Sequence, residues 1–152
     1  MRMQPGIDKA PTQTLTVLSI SPNNDDHLFL KSIVSRSNWT LLTANNLFTA
    51  RTLLSQRHDI SVALCECNLM PGSWTDILEH IKPLSHPASV IVTSRLADER
   101  LWAEALNLGA WDVLLKPFER REVLRSVNSA WQHWHNQIRL PSLALKEMAA
   151  AG

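Results

Sequence analysis

The chain has 152 residues, enough for one domain with a substantial hydrophobic core. Fifteen Lys and Arg residues against fourteen Asp and Glu residues leave a formal charge of +1, so the composition predicts neither a nucleic-acid partner nor binding to an anionic membrane. No apolar run approaches membrane-spanning length, and residues 1–11 lack the apolar stretch of a secretion signal. These features predict a cytoplasmic protein.

Short apolar runs alternate with helical patterns along residues 14–138, which we predict to form one domain. In chain order, the runs that predict strands lie at 15–20, 39–43, 60–65, 89–93 and 112–115. Strict alternation of strands and helices predicts a parallel sheet covered by helices on both faces, with ligands at the carboxyl ends of the strands. Residues 1–13 and 141–152 have the weakest patterns and predict flexible tails.

Polar residues stand where the predicted strands end. Ser21 and Pro22 follow the first strand, and Glu66 follows the third. Thr93 and Ser94 end the fourth strand and Lys116 follows the fifth. Because the carboxyl ends of parallel strands share one edge of a sheet, we expect a carboxylate, a hydroxyl and an ammonium group to converge there.

Two motifs, V-I-V-T-S at 90–94 and L-N-L-G-A-W-D-V-L-L-K-P-F at 106–118, closely resemble those of the CheY-like receiver domains of bacterial response regulators. The resemblance implies a flavodoxin-like (βα)5 sandwich whose five parallel strands have the order 2-1-3-4-5. In that family an Asp after the third strand accepts a phosphoryl group from a histidine kinase, and two acids after the first strand help to hold Mg²⁺. A Thr or Ser after the fourth strand and a Lys after the fifth contact the phosphoryl oxygens, since the transferring group needs its charge neutralised.

By position, Thr93 and Lys116 match the phosphate contacts of the family, but the acidic positions differ. Glu66 stands at the acceptor position, and Ser21 and Pro22 stand where the acidic pair is expected. The longer Glu side chain misplaces the nucleophilic oxygen by over an ångström, and misplacement of that order can cost about a hundredfold in rate. We therefore predict weak or absent Mg²⁺ binding, no other cofactor and no enzyme activity.

Other residues near these positions leave alternatives open. Cys67 lies four residues before Pro71, the spacing at which many family members carry their Asp. Asp25 and Asp26 lie inside the predicted first helix, and we expect them to be first-turn acids placed too late to reach the strand end. An ion pair between Glu66 and Lys116 can imitate a phosphorylated state, or it can simply neutralise a partly buried lysine.

The family resemblance also bears on switching and on partner contacts. Val113 occupies the position three residues before the lysine, where receivers usually carry Tyr or Phe; its short branched side chain cannot swing as an aromatic ring does. Trp102, Trp111 and Trp131 would lie on or near the face formed by the fourth helix, fifth strand and fifth helix, and Trp is frequent at interface hot spots. In the family this face commonly makes dimers and partner contacts.

These observations predict an atypical receiver that acts as a protein-interaction module in two-component or phosphorelay signalling. The expected partners are a histidine kinase, another regulator or a second copy of the chain. A functional phosphoacceptor with a non-standard acceptor residue is the alternative. A flavodoxin-like nucleotide or flavin site is a weaker one, because no Gly-rich or Ser/Thr-rich phosphate loop is present.

Overall fold

The computed structural model describes residues 15–96 and 98–151, with side chains through residue 138. Strands and helices alternate as β1 (Leu15–Ile20), α1 (Asn24–Val34), β2 (Trp39–Ala44), α2 (Leu47–Gln56), β3 (Ile60–Glu66), α3 (Trp74–Ile81), β4 (Ser89–Ser94), α4 (Glu99–Leu108), β5 (Asp112–Leu115) and α5 (Arg120–Ala151). The strands form one parallel sheet in the order β2-β1-β3-β4-β5. The predicted flavodoxin-like fold and strand order are confirmed.

The hydrophobic core lies on both faces of the sheet. The inner strands β1, β3 and β4 are buried along almost their whole length, as parallel strands covered by helices on both sides must be. Successive residues of β1 enter different clusters: Leu18 packs with Ile77 of α3, whereas Val17 packs with Ile33 of α1 and Val127 of α5. This two-sided core fixes the register of the strands and brings their carboxyl ends to one edge.

Local capping explains where the helices begin and end. Asn23 accepts a hydrogen bond from the amide of Asp25 at 3.1 Å and starts α1. Ser73 and Asp76 form a capping box at the start of α3. Gly109 ends α4 with a φ of 104°, a left-handed conformation that glycine adopts without steric cost.

The last helix extends further than the sequence pattern predicts. Helix α5 continues through residues 141–151, beyond the domain end predicted at 138 and through most of the segment predicted as a tail. The flexibility of that segment stays a prediction, and the tail predicted at 1–13 lies outside the described residues. Within the part of the chain that the structure describes, none of the helices combines the length and apolar character needed to cross a bilayer.

Candidate functional site

A groove of about 320 Å³ lies at the carboxyl ends of the strands. Pro22 follows β1, Glu66 and Cys67 mark the end of β3, Ser94 ends β4 and Lys116 follows β5; all five line the groove. The predicted convergence of a carboxylate, a hydroxyl and an ammonium group is therefore present, although the hydroxyl is a different one from that predicted.

Lys116 is a buried cation that pairs with two carboxylates beside the groove. Its side chain is only 7% exposed, and its Nζ donates a hydrogen bond of 2.5 Å to Asp26 Oδ2 and forms an ion pair with Glu66 Oε1. Burial lowers the pKa of Lys116, but the hydrogen bonds and charges of Asp26 and Glu66 outweigh burial and raise that pKa above its ordinary value. The ammonium group therefore stays charged and has two anionic partners. The expected Glu66–Lys116 pair is present.

Asp26 corrects the prediction that the acids of α1 lie too far along the chain to reach the strand end. Its side chain is 9% exposed, and Oδ2 accepts hydrogen bonds from Ser21 Oγ at 2.6 Å and from Lys116 Nζ. The reach is possible because α1 begins only four residues after Ile20, the last residue of β1. The helix places its first turn directly at the sheet edge, and Asp26 faces inward there.

The sequence contained a signal for this inward orientation. Asp26, Leu30 and Ile33 are spaced as i, i+4 and i+7, which places them on one helical face, and all three are buried. Asp25, one position earlier, is exposed and acts as the first-turn acid that the pattern predicts. Extending the helical periodicity back to Asp25 and Asp26 would have predicted that Asp26 faces the core and that Asp25 faces solvent.

A polar network extends from the groove under the start of α1. Ser21 is buried, and its Oγ also accepts a hydrogen bond of 3.0 Å from the amide of Asn23. The buried His27 places Nε2 at 3.0 Å from both the Ser21 carbonyl and Asn45 Oδ1, and Nδ1 at 2.8 Å from Ser19 Oγ. Because Nε2 faces two acceptors, it carries a proton. Ser21 is thus used as a hydrogen-bonding residue that orients Asp26.

The end of β3 presents both residues that the sequence offers for the acceptor position. Glu66 is directed to Lys116, whereas Cys67 Sγ lies 3.4 Å from Glu66 Oε2 and 3.5 Å from Ser94 Oγ. Burial raises the pKa of Cys67, the Ser94 hydroxyl lowers it, and the charge of Glu66 adds to the rise; the net direction is upward. The Cys67 thiol is therefore protonated at neutral pH. Neither candidate is an aspartate.

The hydroxyl in the groove belongs to Ser94 and not to the predicted Thr93. Thr93 is buried in β4, where it pairs with Glu66 in the sheet register, and it is not among the residues that line the groove. Ser94 Oγ accepts a hydrogen bond of 3.0 Å from the Leu96 amide. Since successive side chains of a strand point to opposite faces, a shift of one residue exchanges one hydroxyl for the other.

The predicted switch and interface residues lie away from the groove. Val113 is buried in β5 and pairs with Val92. Trp111 stacks on His133, with ring centroids 4.6 Å apart, and Trp131 stacks on His135 at 5.1 Å, so both indoles are partly covered within the chain. Trp102, the third residue predicted to lie at an interface, is 41% exposed on α4.

Comparison with protein families agrees with this fold. Residues 20–128 match the model of the response regulator receiver domain. The matched segment is more than half of the chain, and the chain therefore belongs to the response regulator receiver domain family of two-component signalling.

A curated relative and two solved structures are similar to this chain in sequence or in fold. The chain is 26% identical over 137 residues to the transcriptional regulatory protein DpiA of Escherichia coli K12, covering 81% of this chain and 59% of DpiA. The signal receiver domain of an HD domain-containing protein from Pseudomonas fluorescens superposes with a TM-score of 0.77 at 22% identity, covering 87% of this chain and 97% of that domain. The beryllofluoride-activated NtrC4 receiver domain dimer superposes with a TM-score of 0.72 at 21% identity, covering 78% of this chain and 98% of the NtrC4 chain. The chain spans between 30% and 59% of the curated relatives it matches.

Proposed function

We propose that this receiver domain acts as a protein-interaction module in two-component or phosphorelay signalling and does not accept phosphate by the Mg²⁺-dependent aspartate route. The observation that carries the proposal is the buried Lys116 ammonium bonded by both Glu66 and Asp26. The family resemblance assigns a lysine at this position to the oxygens of the phosphoryl group. Here that ammonium already has two anionic partners within the chain.

Competition for Lys116 disfavours phosphoryl transfer. A phosphoryl group in the groove would have to displace Glu66 or Asp26 from Lys116, and the displaced carboxylate would lose its cation. The transfer step depends on charges that are already placed for the developing negative oxygens. In this groove the Glu66 carboxylate presents negative charge to the incoming group, although Arg95 also lines the groove.

The donor atoms of the groove also fit Mg²⁺ poorly. This ion prefers near-octahedral coordination by hard oxygens, usually with carboxylates among its ligands. Ser21 contributes a neutral hydroxyl that is already bonded to Asp26, and Pro22 has no side-chain oxygen. Among the described residues, no cluster of three or more His, Cys, Asp or Glu side chains is placed to share one ion. Weak or absent Mg²⁺ binding is part of the proposal.

Incubation with Mg²⁺ and acetyl phosphate, followed by intact-mass measurement, tests the proposal. We expect the mass to stay that of the unmodified chain, and we expect beryllofluoride to leave the backbone amide NMR spectrum unchanged. The NtrC4 receiver domain, which is known in a beryllofluoride-activated form, is the positive control for the second measurement. A stoichiometric gain of one phosphoryl group, or saturable amide shifts around Lys116, would overturn the proposal.

A functional acceptor of a different kind is the second candidate, and the position of Cys67 is the observation in its favour. Its sulfur lies in the groove beside Ser94, at a spacing from Pro71 that matches the usual acceptor. Its raised pKa argues against it, because the thiolate is the nucleophilic form. If a phosphoryl group were transferred, Cys67→Ser and Glu66→Gln would show by loss of the adduct which residue holds it.

We further propose that signal output uses the face formed by α4, β5 and α5, through contact with a kinase, another regulator or a second copy. Trp102 and Leu106 lie one helical turn apart on α4 and are 41% and 48% exposed. Leu115 on the edge strand β5 is 51% exposed. The buried Val113 leaves this face without the usual rotating aromatic residue, which favours a face that is fixed in one state.

A further inference from the structure

A chain of hydrogen bonds leads from the groove toward α4. The Cys67 sulfur lies 3.4 Å from Glu66 Oε2 and 3.5 Å from Ser94 Oγ. Ser94 Oγ in turn accepts a hydrogen bond of 3.0 Å from the Leu96 amide. The Cys67 thiol therefore bridges the carboxylate at the end of β3 and the hydroxyl at the end of β4.

The same chain continues from Leu96 into the first turn of α4. The Leu96 carbonyl accepts a hydrogen bond of 3.0 Å from the Asp98 amide. Asp98 is the N-cap of α4, and its Oδ1 accepts a hydrogen bond of 2.9 Å from the Leu101 amide. The Asp98 carbonyl accepts another, of 3.1 Å, from the Trp102 amide. A displacement of Leu96 is therefore passed to the cap of the helix that carries the exposed Trp102.

The direction of the hydrogen bonds at Cys67 follows from the chemistry of its neighbours. The thiol has one proton, and the Glu66 carboxylate is a stronger acceptor for it than the Ser94 hydroxyl. The Ser94 hydroxyl can rotate and donate to the sulfur while its oxygen accepts from the Leu96 amide. The pKa of Cys67 agrees with this order: burial raises it most, the Ser94 hydroxyl lowers it as a donor to sulfur does, and the Glu66 carboxylate raises it. Each donor from Leu96 onward therefore points toward the carboxylate.

Main-chain bonds hold the strand ends beside this chain independently of the thiol. The Cys67 amide donates to the Thr93 carbonyl at 3.0 Å, and the Lys116 amide donates to the Ser94 carbonyl at 2.9 Å. Because these bonds use only backbone atoms, a change of the Cys67 side chain leaves them in place. What the thiol adds is a connection between the Glu66 side chain and the segment that follows β4.

We propose that Cys67 is a positioning residue that couples the Glu66 carboxylate to the start of α4. While Glu66 accepts the thiol proton, the Ser94 hydroxyl has a fixed acceptor in the sulfur and holds the Leu96 amide in place. When Glu66 turns away or loses its charge, the thiol is free to rotate and the start of α4 is released. The role of this coupling in signalling rests on the proposed output face, of which α4 is part. The coupling itself requires neither a partner protein nor a phosphoryl donor.

Two resonances in the ¹⁵N NMR spectrum of the full chain report the coupling, the Leu96 amide and the Trp102 indole N–H. Glu66→Gln removes the charge at one end of the hydrogen-bond chain and should shift both resonances. In a Cys67→Ala background the same substitution should shift them by less than about half as much, because residues joined in one hydrogen-bond network have non-additive effects. Equal shifts in the two backgrounds would overturn the proposal. No phosphoryl donor is present, so the result is independent of whether the chain accepts phosphate.

Hydrogen exchange of the Leu96 amide separates the hydrogen bonds of the thiol from the packing of its sulfur. Cys67→Ala removes the donor and the acceptor and should accelerate this exchange about fivefold, as expected for the loss of one hydrogen bond. Cys67→Ser keeps a group that donates and accepts, and it should exchange at close to the wild-type rate. Asn68→Ala, at the exposed next position in the groove wall, is the control, and the Val92 amide, buried in β4, reports any change in global stability. Wild-type exchange in Cys67→Ala, or equally fast exchange in Cys67→Ala and Cys67→Ser, would contradict the coupling.

Discussion

Two carboxylates, those of Glu66 and Asp26, share the buried ammonium group of Lys116. Glu66 and Asp26 each bring one negative charge against one positive charge, so the three groups together carry −1. Each group depends on the others, because an ionised side chain without a partner is costly to bury. Loss of any one member is therefore expected to destabilise the fold.

Substitution of Lys116 tests this dependence. Lys116→Met should lower the free energy of unfolding at pH 7 by about 3 kcal/mol, because it leaves Glu66 and Asp26 buried without a cation. Urea denaturation measures the change. Combining Lys116→Met with Glu66→Gln and Asp26→Asn removes all three charges and should recover much of the lost stability. A single variant as stable as the wild type would show that the cluster contributes nothing.

The raised pKa of Lys116 determines in which direction the stability of the wild-type protein changes with pH. Because the partners raise the pKa of Lys116 above 10.5, the stability that this group contributes is fully present below that pH. The contribution is lost as the pH rises through the folded-state pKa. The Lys116→Met variant should lack this part of the alkaline loss of stability.

Cys67 provides a chemical probe of the same groove. Burial and the neighbouring Glu66 carboxylate raise its pKa, so alkylation by iodoacetamide should be slow at pH 8 and should accelerate only at higher pH. Glu66→Gln removes the repelling charge, so we expect the Cys67 pKa to fall and alkylation at pH 8 to become faster. Mass spectrometry identifies the modified residue, and Cys67→Ser provides the blank. An unchanged rate in Glu66→Gln would mean that Glu66 does not influence the thiol.

At the scale of elements, the first turn of α1 supplies an acid that the end of β1 lacks. The strand ends in Ile20, Ser21 continues the chain, and the helix begins at Asn24, so there is room for only a short connection. The inward face of the helix then brings Asp26 to Ser21 and Lys116. The first turn of α1 thus brings a carboxylate to Lys116 from a neighbouring element.

Asp25 and Asp26 are adjacent in the first turn of α1, so substituting each one compares an exposed acid with a buried acid. Asp26→Asn should lower the free energy of unfolding by about 1–2 kcal/mol, since it removes a buried charge partner of Lys116. Asp25→Asn, in the same turn but exposed, should change it by no more than about 0.5 kcal/mol through the helix dipole. Thermal or urea unfolding of both variants makes the comparison. Equal effects would indicate that only the position in the helix matters.

For the whole molecule, the arrangement of the sheet exposes one edge that carries apolar residues. Strand β5 ends the order β2-β1-β3-β4-β5, it has only four residues, and its Leu115 is half exposed. Helix α4 adds Trp102 and Leu106 on the same side as β5, against which it packs. Short edge strands limit unwanted pairing, while exposed Trp and Leu side chains favour a specific partner surface.

We predict that copies of the chain associate with each other through this surface. Trp102→Glu should reduce any concentration-dependent increase in sedimentation coefficient, because it places a charge in the centre of the proposed contact. Phe48→Glu is the control, since Phe48 is 78% exposed on α2, outside the proposed face. If the two variants behave alike, or if Phe48→Glu alone dissociates the protein, the proposed face is wrong.

The alternation of apolar runs and helical patterns was sufficient to predict a parallel sheet covered by helices on both faces, whereas the strand order came from the family resemblance. Buried parallel strands must be apolar on both faces. Each therefore appears in the sequence as a short, mostly apolar segment, such as 60–65 and 89–93. The same local logic gave the lysine after β5 and the carboxylate after β3. These residues are fixed at the ends of their own strands, so their common edge follows from the topology.

Only the tertiary structure decided which groups meet in the groove. Whether Thr93 or Ser94 faces inward depends on one residue of strand register, and whether Asp26 reaches Lys116 depends on how closely α1 follows β1. Both outcomes depend on how the elements pack: β4 pairs with β3 and β5 in the sheet, and the start of α1 meets Lys116, which is 90 residues from Asp26 along the chain. Sequence patterns fix the type and order of elements because these depend on neighbours along the chain; contacts across the sheet edge depend on distances of a few ångströms that no local pattern encodes.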